Sequence, residues 1–413
     1  MAEERRITLI NYGKIDPESI SDYISAGGYK AAEKALSCKP FDIIEEMSKS
    51  SLRGRGGAGF STGLKKKFTS EACTRCEQKY LVCNADEGEP GTFKDRIIME
   101  NDPHRLIEGM IIAAYAIGAS KAYIYIRGEY YKSIKKLEKA IHDARQKGFL
   151  GSNIFGSSFS TDIEIRLGAG SYLCGEELTM LESLEGKRGY PRIKPPFPAE
   201  KGLHGFPTLI NNVETLATIP VVIEKGADWY TGMGIEDSPG TKIFTISGDV
   251  RKPGFYELEL GLTLRELIYD FAGGMKEGVD LKAVLIGGAA GTFVDETVLD
   301  TPMGFETLKE KGAVLGSGAV MVLGHNKSIP GMTQSILEFF KHESCGKCVP
   351  CRVGMSQLVR MISSVNENGT RHKNILDEML AEAEFMAKTS LCPLGQSPVL
   401  PLKSLKRYFA GHF

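Results

Sequence analysis

The sequence predicts an α/β domain over residues 1–235, an α+β module over 236–330 and a helical bundle over 331–413. Three observations lead there. Strand patterns alternate with helical ones through the first half of the chain. The texture changes at Thr241, where short apolar strands flank a single helix. From Gln334 onward only helical patterns remain. A chain of 413 residues is also too long for one small core.

The opening segment is polar. Phe41 to Leu52 then carries Ile43, Ile44 and Met47 at helical spacing and leads into the glycine-rich run Arg53 to Phe60. Tyr80 to Cys83 reads as a strand, followed by the acidic loop Asn84 to Gly91. Asp102-Pro103 has the form of an N-cap and first helical residue, with Gly118 as the stop after Ile117. Ala122 to Ile126 is a strand, Tyr130 to Gln146 a helix, Asp162 to Leu167 a strand, and Glu176 to Leu184 a helix ended by Gly186. Tyr190 to Pro207 is a proline-rich irregular loop, a class that usually carries function. In the α+β module, Lys242 to Ser247, Ala283 to Ile286 and Ala319 to Leu323 read as strands, Pro253-Gly254 as a turn and Leu262 to Phe271 as a helix. Ile336 to His342, Gly354 to Val365 and Ile375 to Lys388 are the helices expected of the bundle.

Composition excludes several classes. A net charge of −1 offers no field for nucleic acid or an acidic membrane surface. Met1 to Asn11 lacks a basic start followed by an apolar run, so it is no signal peptide. The most apolar stretch, Leu106 to Ala119, is interrupted by Glu108 and Gly109 and is too short to span a bilayer. A cytoplasmic chain without direct membrane insertion follows as the expectation.

In a reducing compartment, nine cysteines are ligands, reactive groups or small core residues, not a disulfide framework. Cys345-x-x-Cys348-x-x-Cys351 places three thiolates at equal steps, and Cys392-Pro393 supplies a remote fourth. A cubane cluster needs one thiolate per iron, and ferredoxin-type runs share this spacing and the cysteine–proline ligand. Zinc is the competing reading, although its structural sites usually pair two CxxC knuckles. Cys73-x-x-Cys76 has no second pair or histidine to complete it and reads as surface thiols before an extra metal or redox site. Cys83 and Cys174 read as packed small residues.

Gly54-x-Gly56-x-x-Gly59 matches the dinucleotide fingerprint as a string, but a helical pattern precedes it where that fingerprint requires a strand. An ordinary Rossmann unit is therefore not expected. The loop can still bring backbone amides to a phosphate, with Lys65, Lys66 and Lys67 close behind, or be a tight solvated turn. Asp86, Glu87 and Glu89 would repel phosphate and suit ribose hydroxyls or an amide, or form a solvated turn. Glu176-Glu177 suits a helix N-terminus, and Asn211-x-x-Glu214 a capping pattern, without further function.

Together these pieces are more specific. Gly54 to Phe60, Asn84 to Arg96, Gly168 to Glu177, Asn211 to Leu216 and the four cysteines occur in one order. The chain resembles the NADH-oxidising, flavin-carrying subunit of respiratory complex I, and equally the matching subunit of soluble NAD-linked hydrogenases and formate dehydrogenases, from about Ile43 to the end. The resemblance implies a non-classical FMN- and NADH-binding α/β domain, a β-grasp (ubiquitin-like) module and a four-helix bundle holding one [4Fe–4S] cluster. It implies hydride exchange between NAD(H) and FMN, then single electrons passing to the cluster and on to partner subunits, in some relatives by electron bifurcation. Carried over by position, Gly54, Arg55, Gly56, Gly57, Ala58, Gly59 and Lys65 would hold the FMN phosphate and ring, and Asn84, Asp86, Asn211, Asn212 and Thr215 the rest of the flavin. Glu89 and Glu177 look like the acids at the reacting nicotinamide and ribose. Phe60, Phe68 and Phe197 look like stacking walls, and Glu87, Tyr172 and Glu176 count with the cofactor site. Cys345, Cys348, Cys351 and Cys392 would hold the cluster.

Ser61 stands where the family usually has proline, and Lys66 where an aromatic is common. Neither a thioredoxin-like domain before this core nor ferredoxin-like cysteine runs after it are expected. A small [2Fe–2S] thioredoxin-like subunit and a larger iron–sulfur or catalytic subunit are the expected partners. Two other classes stand beside this reading. A non-catalytic iron–sulfur scaffold would not oxidise NADH, and a zinc-stabilised nucleotide-binding module would be colourless.

Overall fold

β1 (Tyr80–Ala85), β2 (Lys121–Arg127), β3 (Asp162–Gly168) and β4 (Thr208–Asn212) form a parallel sheet in the order β3-β2-β1-β4. The computed structural model describes residues 3–72, 78–368 and 374–413. Cys73 and Cys76 lie outside the described residues. Leu81, Val82 and Cys83 of β1 are wholly buried, as expected of an inner parallel strand covered on both faces. Strand order reverses between β1 and β4, and in open α/β sheets ligands bind in the crevice beyond the carboxyl ends at that point. Asn84 pairs with Asn212 and Cys83 with Asn211, so the polar ends of these strands emerge side by side there.

Helix Pro103–Ile117 is buried along nearly its whole length and stops at Gly118, whose φ of 74° suits glycine. It packs on helix Val213–Lys225 so closely that a Cβ on Gly109 would lie 1.9 Å from the Leu216 carbonyl oxygen. Glu108, in the middle of that apolar helix, accepts hydrogen bonds from the Tyr23 hydroxyl and the Ala32 N–H.

Local signals mislead at three places. Asp102 precedes Pro103 but does not cap with its side chain, which accepts instead from Asn11 Nδ2 at 2.8 Å. The polar opening segment contains helices Ile20–Ser25 and Lys30–Ser37, and its Thr8 and Leu9 N–H groups each donate to Glu257 at 2.8 Å. β4 is absent from the sequence expectation, which starts the helix after it from a cap at Asn211. Asn211 belongs to the strand, and Asn212 is the cap, accepting from the Glu214 N–H at 3.0 Å.

The second sheet comprises β5 (Thr241–Gly248), β6 (Gly254–Glu259), β7 (Leu281–Ile286), β8 (Thr292–Val294) and β9 (Ala319–Gly324) in the order β8-β7-β9-β5-β6. β9 and β5 run parallel and the other neighbours antiparallel. Four helices follow: Ile329–His342, Val349–Asn368, Ile375–Thr389 and Val399–Tyr408. The fourth, implied by the resemblance, is not among the helical patterns located in the sequence. It seats the bundle on β8, where Ser404 Oγ accepts from the Phe293 N–H at 2.9 Å. Among the described residues no helix is long and apolar enough to cross a membrane.

Candidate active site

The glycine loop is a closed turn between helices Pro40–Lys49 and Thr62–Glu71, so no strand precedes it. Gly54 N–H donates to Phe60 O at 2.8 Å, and Thr62 N–H to Leu52 O at 3.0 Å. Gly59 has φ 62°, and a Cβ there would meet Phe305 at 2.6 Å. A Cβ on Gly56 would sit 3.1 Å from Asn212 Cβ, so the loop lies against the crevice beyond β4. At Gly57, φ 131°, the space is open. Ser61 caps the following helix by accepting from the Leu64 N–H at 3.3 Å, which accounts for a serine here. Arg55 is turned inward. Its N–H donates to Thr215 Oγ1 at 2.8 Å and its guanidinium to the Tyr230 hydroxyl at 2.8 Å. Its side chain supports the loop from beneath and does not face the crevice.

The acids separate by role. Glu87 accepts from the Asp95 and Arg96 N–H groups at 2.8 and 3.0 Å, capping helix Lys94–Asn101, so its carboxylate is engaged away from the crevice. Burial and Asp95 push its pKa up to about 7. Glu176 likewise caps helix Glu177–Leu184, accepting from Leu178 and Thr179 N–H at 3.0 and 2.9 Å. Asp86 lies beside Arg127 at 3.4 Å, but its Oδ2 is buried without a partner among the described residues. Burial outweighs Arg127 and raises its pKa to about 7. Glu89 reaches across to the second sheet, where the Ala290 N–H donates to it at 3.4 Å, and burial raises its pKa. Glu177 pairs with Lys65, and Lys194 stands 3.8 Å away. Burial opposes its charge, and the two lysines outweigh burial and hold it below the usual carboxylate range.

Phe60, Phe68 and Phe197 are half exposed, each between 51% and 53%, and the helix carrying Phe68 packs against the turn Pro198–Lys201 that Phe197 begins. Asn84 donates to Gly175 O at 2.9 Å, joining β1 to the loop that carries Glu176 and Glu177. Tyr172 on that loop donates its N–H to Glu343 at 2.8 Å, and its ring lies 5.0 Å from Phe339. The bundle therefore sits directly on the acid-bearing loop.

Sequence reasoning missed the ion network under the crevice. Lys94 contacts Asp95 at 2.7 Å and Glu214 at 3.0 Å, and Glu214 also accepts from Lys242 at 2.6 Å and the Ile243 N–H at 2.9 Å. All four side chains are nearly inaccessible. Asn212 is clamped between Asp95, which accepts from its Nδ2 at 2.6 Å, and Lys94, which donates to its Oδ1 at 3.2 Å. Lys94, Asp95 and Glu214 are visible in the motifs, but Lys242 comes from another sheet and no local signal pairs it with them.

Cys351 and Cys392 are buried in the bundle core, and Cys345 and Cys348 pack against the same core. A Cβ on Gly395, just beyond Cys392, would lie 3.5 Å from Cys351 Cβ. Burial raises the Cys392 thiol to about 11, opposed by the Leu394 and Gly395 N–H groups that donate to its sulfur. Ser344 Oγ lies 3.3 Å from Cys351 Sγ. Among the described residues no three His, Cys, Asp or Glu side chains close on one point as the shell of a lone ion would. Four soft donors with N–H and O–H groups aimed at their sulfurs fit an iron–sulfur core. The orphaned Asp86 oxygen, the open loop at Gly57 and the clamped asparagine fit a polar cofactor in the crevice. Lys347, between two of the cysteines, donates to Pro191 O at 3.3 Å and ties the cysteine loop to the proline-rich loop. Cys83 and Cys174 are packed, as expected.

Comparison with known proteins agrees with this arrangement. The Nuo51 FMN-binding domain family matches residues 47–221, the SLBB domain family 242–315, and the NADH-ubiquinone oxidoreductase-F iron–sulfur binding region 331–413. The second F-type NADH-quinone oxidoreductase subunit of Rhizobium meliloti is 47% identical over 98% of this chain and 96% of its own length. The HndC subunit of the NADP-reducing hydrogenase of Solidesulfovibrio fructosivorans is 44% identical over 100% of this chain and 83% of its own. The crystal structure of an air-oxidised NAD+-reducing [NiFe]-hydrogenase superposes with a TM-score of 0.84 at 35% identity, covering 99% of this chain and 66% of that one. The chain thus belongs to the family of F-type NADH-quinone oxidoreductase subunits, with an FMN-binding domain, an SLBB domain and a C-terminal [4Fe–4S] region.

Proposed function

We propose that this chain is the NADH dehydrogenase (diaphorase) subunit of a multi-subunit redox complex, of complex I-like or NAD-linked hydrogenase type. One observation carries the reading: the cysteine-bearing bundle rests on the same loop, through Tyr172 and Glu343, that presents Glu177 to the crevice beyond β1 and β4. A donor held in the crevice and a cluster held by the four thiols would then be close neighbours. Bound FMN supplies the exchange between two-electron hydride chemistry and the one-electron chemistry of an iron–sulfur cluster.

The protein orients and encloses. Gly54 to Gly59 and Lys65 receive the flavin, with Asn84, Asp86, Asn211 and Asn212 along the strand ends and Thr215 in the first turn of the following helix, bonded to the Arg55 N–H. Glu89 and Glu177 accept hydrogen bonds from the nicotinamide amide and ribose, and Phe60, Phe68 and Phe197 flank the rings. Lys65 beside Glu177, and Lys194, 3.0 Å from Glu176 and 3.8 Å from Glu177, keep the Glu177 carboxylate ionised and ready to accept. No side chain is needed as proton donor in the hydride step. Arg55, Glu87 and Glu176 shape the site without touching the substrate. A small thioredoxin-like [2Fe–2S] subunit and a larger iron–sulfur or catalytic subunit receive the electrons, in the cytoplasm, a setting that suits free buried thiols.

The test is reconstitution of the purified chain with FMN, iron and sulfide, followed by NADH-driven reduction of an artificial acceptor. Flavin and iron–sulfur absorbance with turnover is expected. A chain that takes up neither group and reduces no acceptor would end this reading.

A further inference from the structure

Helix Thr62–Glu71 turns an unusual face inward. Thr62, Lys66 and Thr69 are its innermost side chains apart from Gly63, with Lys66 at 0% exposure. A buried ammonium normally has a carboxylate partner, because desolvating an unpaired charge costs several kcal/mol. Lys66 has none within ion-pair distance among the described residues, and its one hydrogen bond is a 3.5 Å contact to Asn211 Oδ1. Thr62, one turn earlier on the same face, has a buried hydroxyl with no partner among the described residues. Two buried polar groups thus share one face of this helix, and Lys66 reaches Asn211 at the end of β4, where helix Val213–Lys225 begins and its N-terminus adds further positive potential.

We infer that Lys66 is the buried counter-ion of the bound flavin's phosphate group. The inference rests on the proposed flavin site and goes beyond it, since family likeness gives this position an aromatic and assigns it no charge. Of the groups on FMN, the oxidised ring is neutral and the phosphate is permanently anionic, so only the phosphate offers a lasting partner. Helix N-termini and lysines are the ordinary donors to such a group. Burial and the neighbouring Lys65 lower the pKa of Lys66 to about 7, and a bound anion would reverse that effect. Thr62 Oγ1 would donate alongside it.

The experiment compares FMN with riboflavin, which lacks the phosphate, on the full deflavinated chain and on Lys66→Met, by quenching of flavin fluorescence. Met fills the site without a charge, so the variant is expected to fold at least as well as the parent. Its FMN affinity should fall roughly 10- to 100-fold, as expected for loss of one charge-assisted hydrogen bond, with riboflavin affinity within about twofold of the parent. Lys66→Arg should recover part of the preference for FMN. The midpoint potential of bound flavin should not move, because the charge faces the phosphate and not the ring. Equal weakening toward both flavins, no weakening toward FMN, or a shifted potential with the FMN preference intact would each overturn the assignment. A parent chain that binds neither flavin refutes the flavin site itself, and this inference with it.

Discussion

Glu214→Gln tests the network beneath the crevice. The carboxylate is about 1% exposed and accepts from two ammonium groups and one backbone N–H, at 2.6 to 3.0 Å. Glutamine keeps the shape but leaves one negative charge, Asp95, to serve both Lys94 and Lys242. Lys94 retains its own contact to Asp95 at 2.7 Å, so Lys242, whose pKa burial already lowers to about 7, must then either stand as an uncompensated cation or give up its proton, and both cost stability. Removing one partner of a buried ion pair costs about 3–5 kcal/mol. Unfolding in urea, followed by fluorescence of Trp229, the only tryptophan in the chain, reports on this region. Trp229 adjoins Tyr230, which accepts from Arg55. A loss of that size is expected at neutral pH. Burial opposes the Glu214 charge, but Lys242 and Lys94 outweigh it and hold the pKa at about 2 against an ordinary 4.5. A depressed carboxylate stabilises the fold fully above its unfolded value and loses that contribution as pH falls toward 2. The gap between parent and variant should therefore narrow on acidification below about 4.5. Adding Lys242→Met should restore part of the stability by removing the stranded charge. A loss below about 1 kcal/mol, or no recovery in the double variant, would refute the reasoning.

Cys392→Ser should lower iron from about four per chain after reconstitution while flavin binding persists, and an unchanged iron content would remove Cys392 from the ligand set. Gly59→Ala should destabilise the loop by at least about 1 kcal/mol and weaken flavin retention, because φ is 62° and the new methyl would overlap Phe305; parent-like melting would contradict this. For the flavin-free chain, Lys66 holds its proton to about pH 7 when folded and to about 10.5 when unfolded. The unfolded form thus binds more protons between those values, and stability should rise with pH there by up to about 1.4 kcal/mol per unit. Lys66→Met should flatten that rise, and identical slopes for parent and variant would count against the buried, unpaired ammonium.

Strands β1, β2 and β3 were legible because each alternates or runs apolar between clear turn signals, and helix Pro103–Ile117 because proline and glycine bracket it. β4 was not, since five residues after a proline-rich loop carry no period of their own and become a strand only by pairing with β1. The same holds for Asp102, whose local cap signal loses to a contact with Asn11, ninety-one residues away in sequence. Among the site residues, the glycines were legible because backbone geometry at Gly59 admits little else. Roles of the acids were not. Glu87, Glu89 and Glu177 look alike in sequence, and only the neighbour each meets makes one a helix cap, one a bridge to the second sheet and one a partner of Lys65.

By itself the sequence determined which chemistry is available: four thiols at cluster spacing, a glycine turn, and acids and asparagines at the ends of short segments. Those are properties of residue type and local spacing, which the chain carries whether folded or not. Tertiary structure decided which groups are spent on the fold and which are left to act. Arg55 and Lys66 stand eleven residues apart and carry the same charge. Arg55 is held by Tyr230 and the Pro239 carbonyl, while Lys66 reaches only Asn211 Oδ1 among the described residues, and burial and partnering across the fold cannot be read from either neighbourhood.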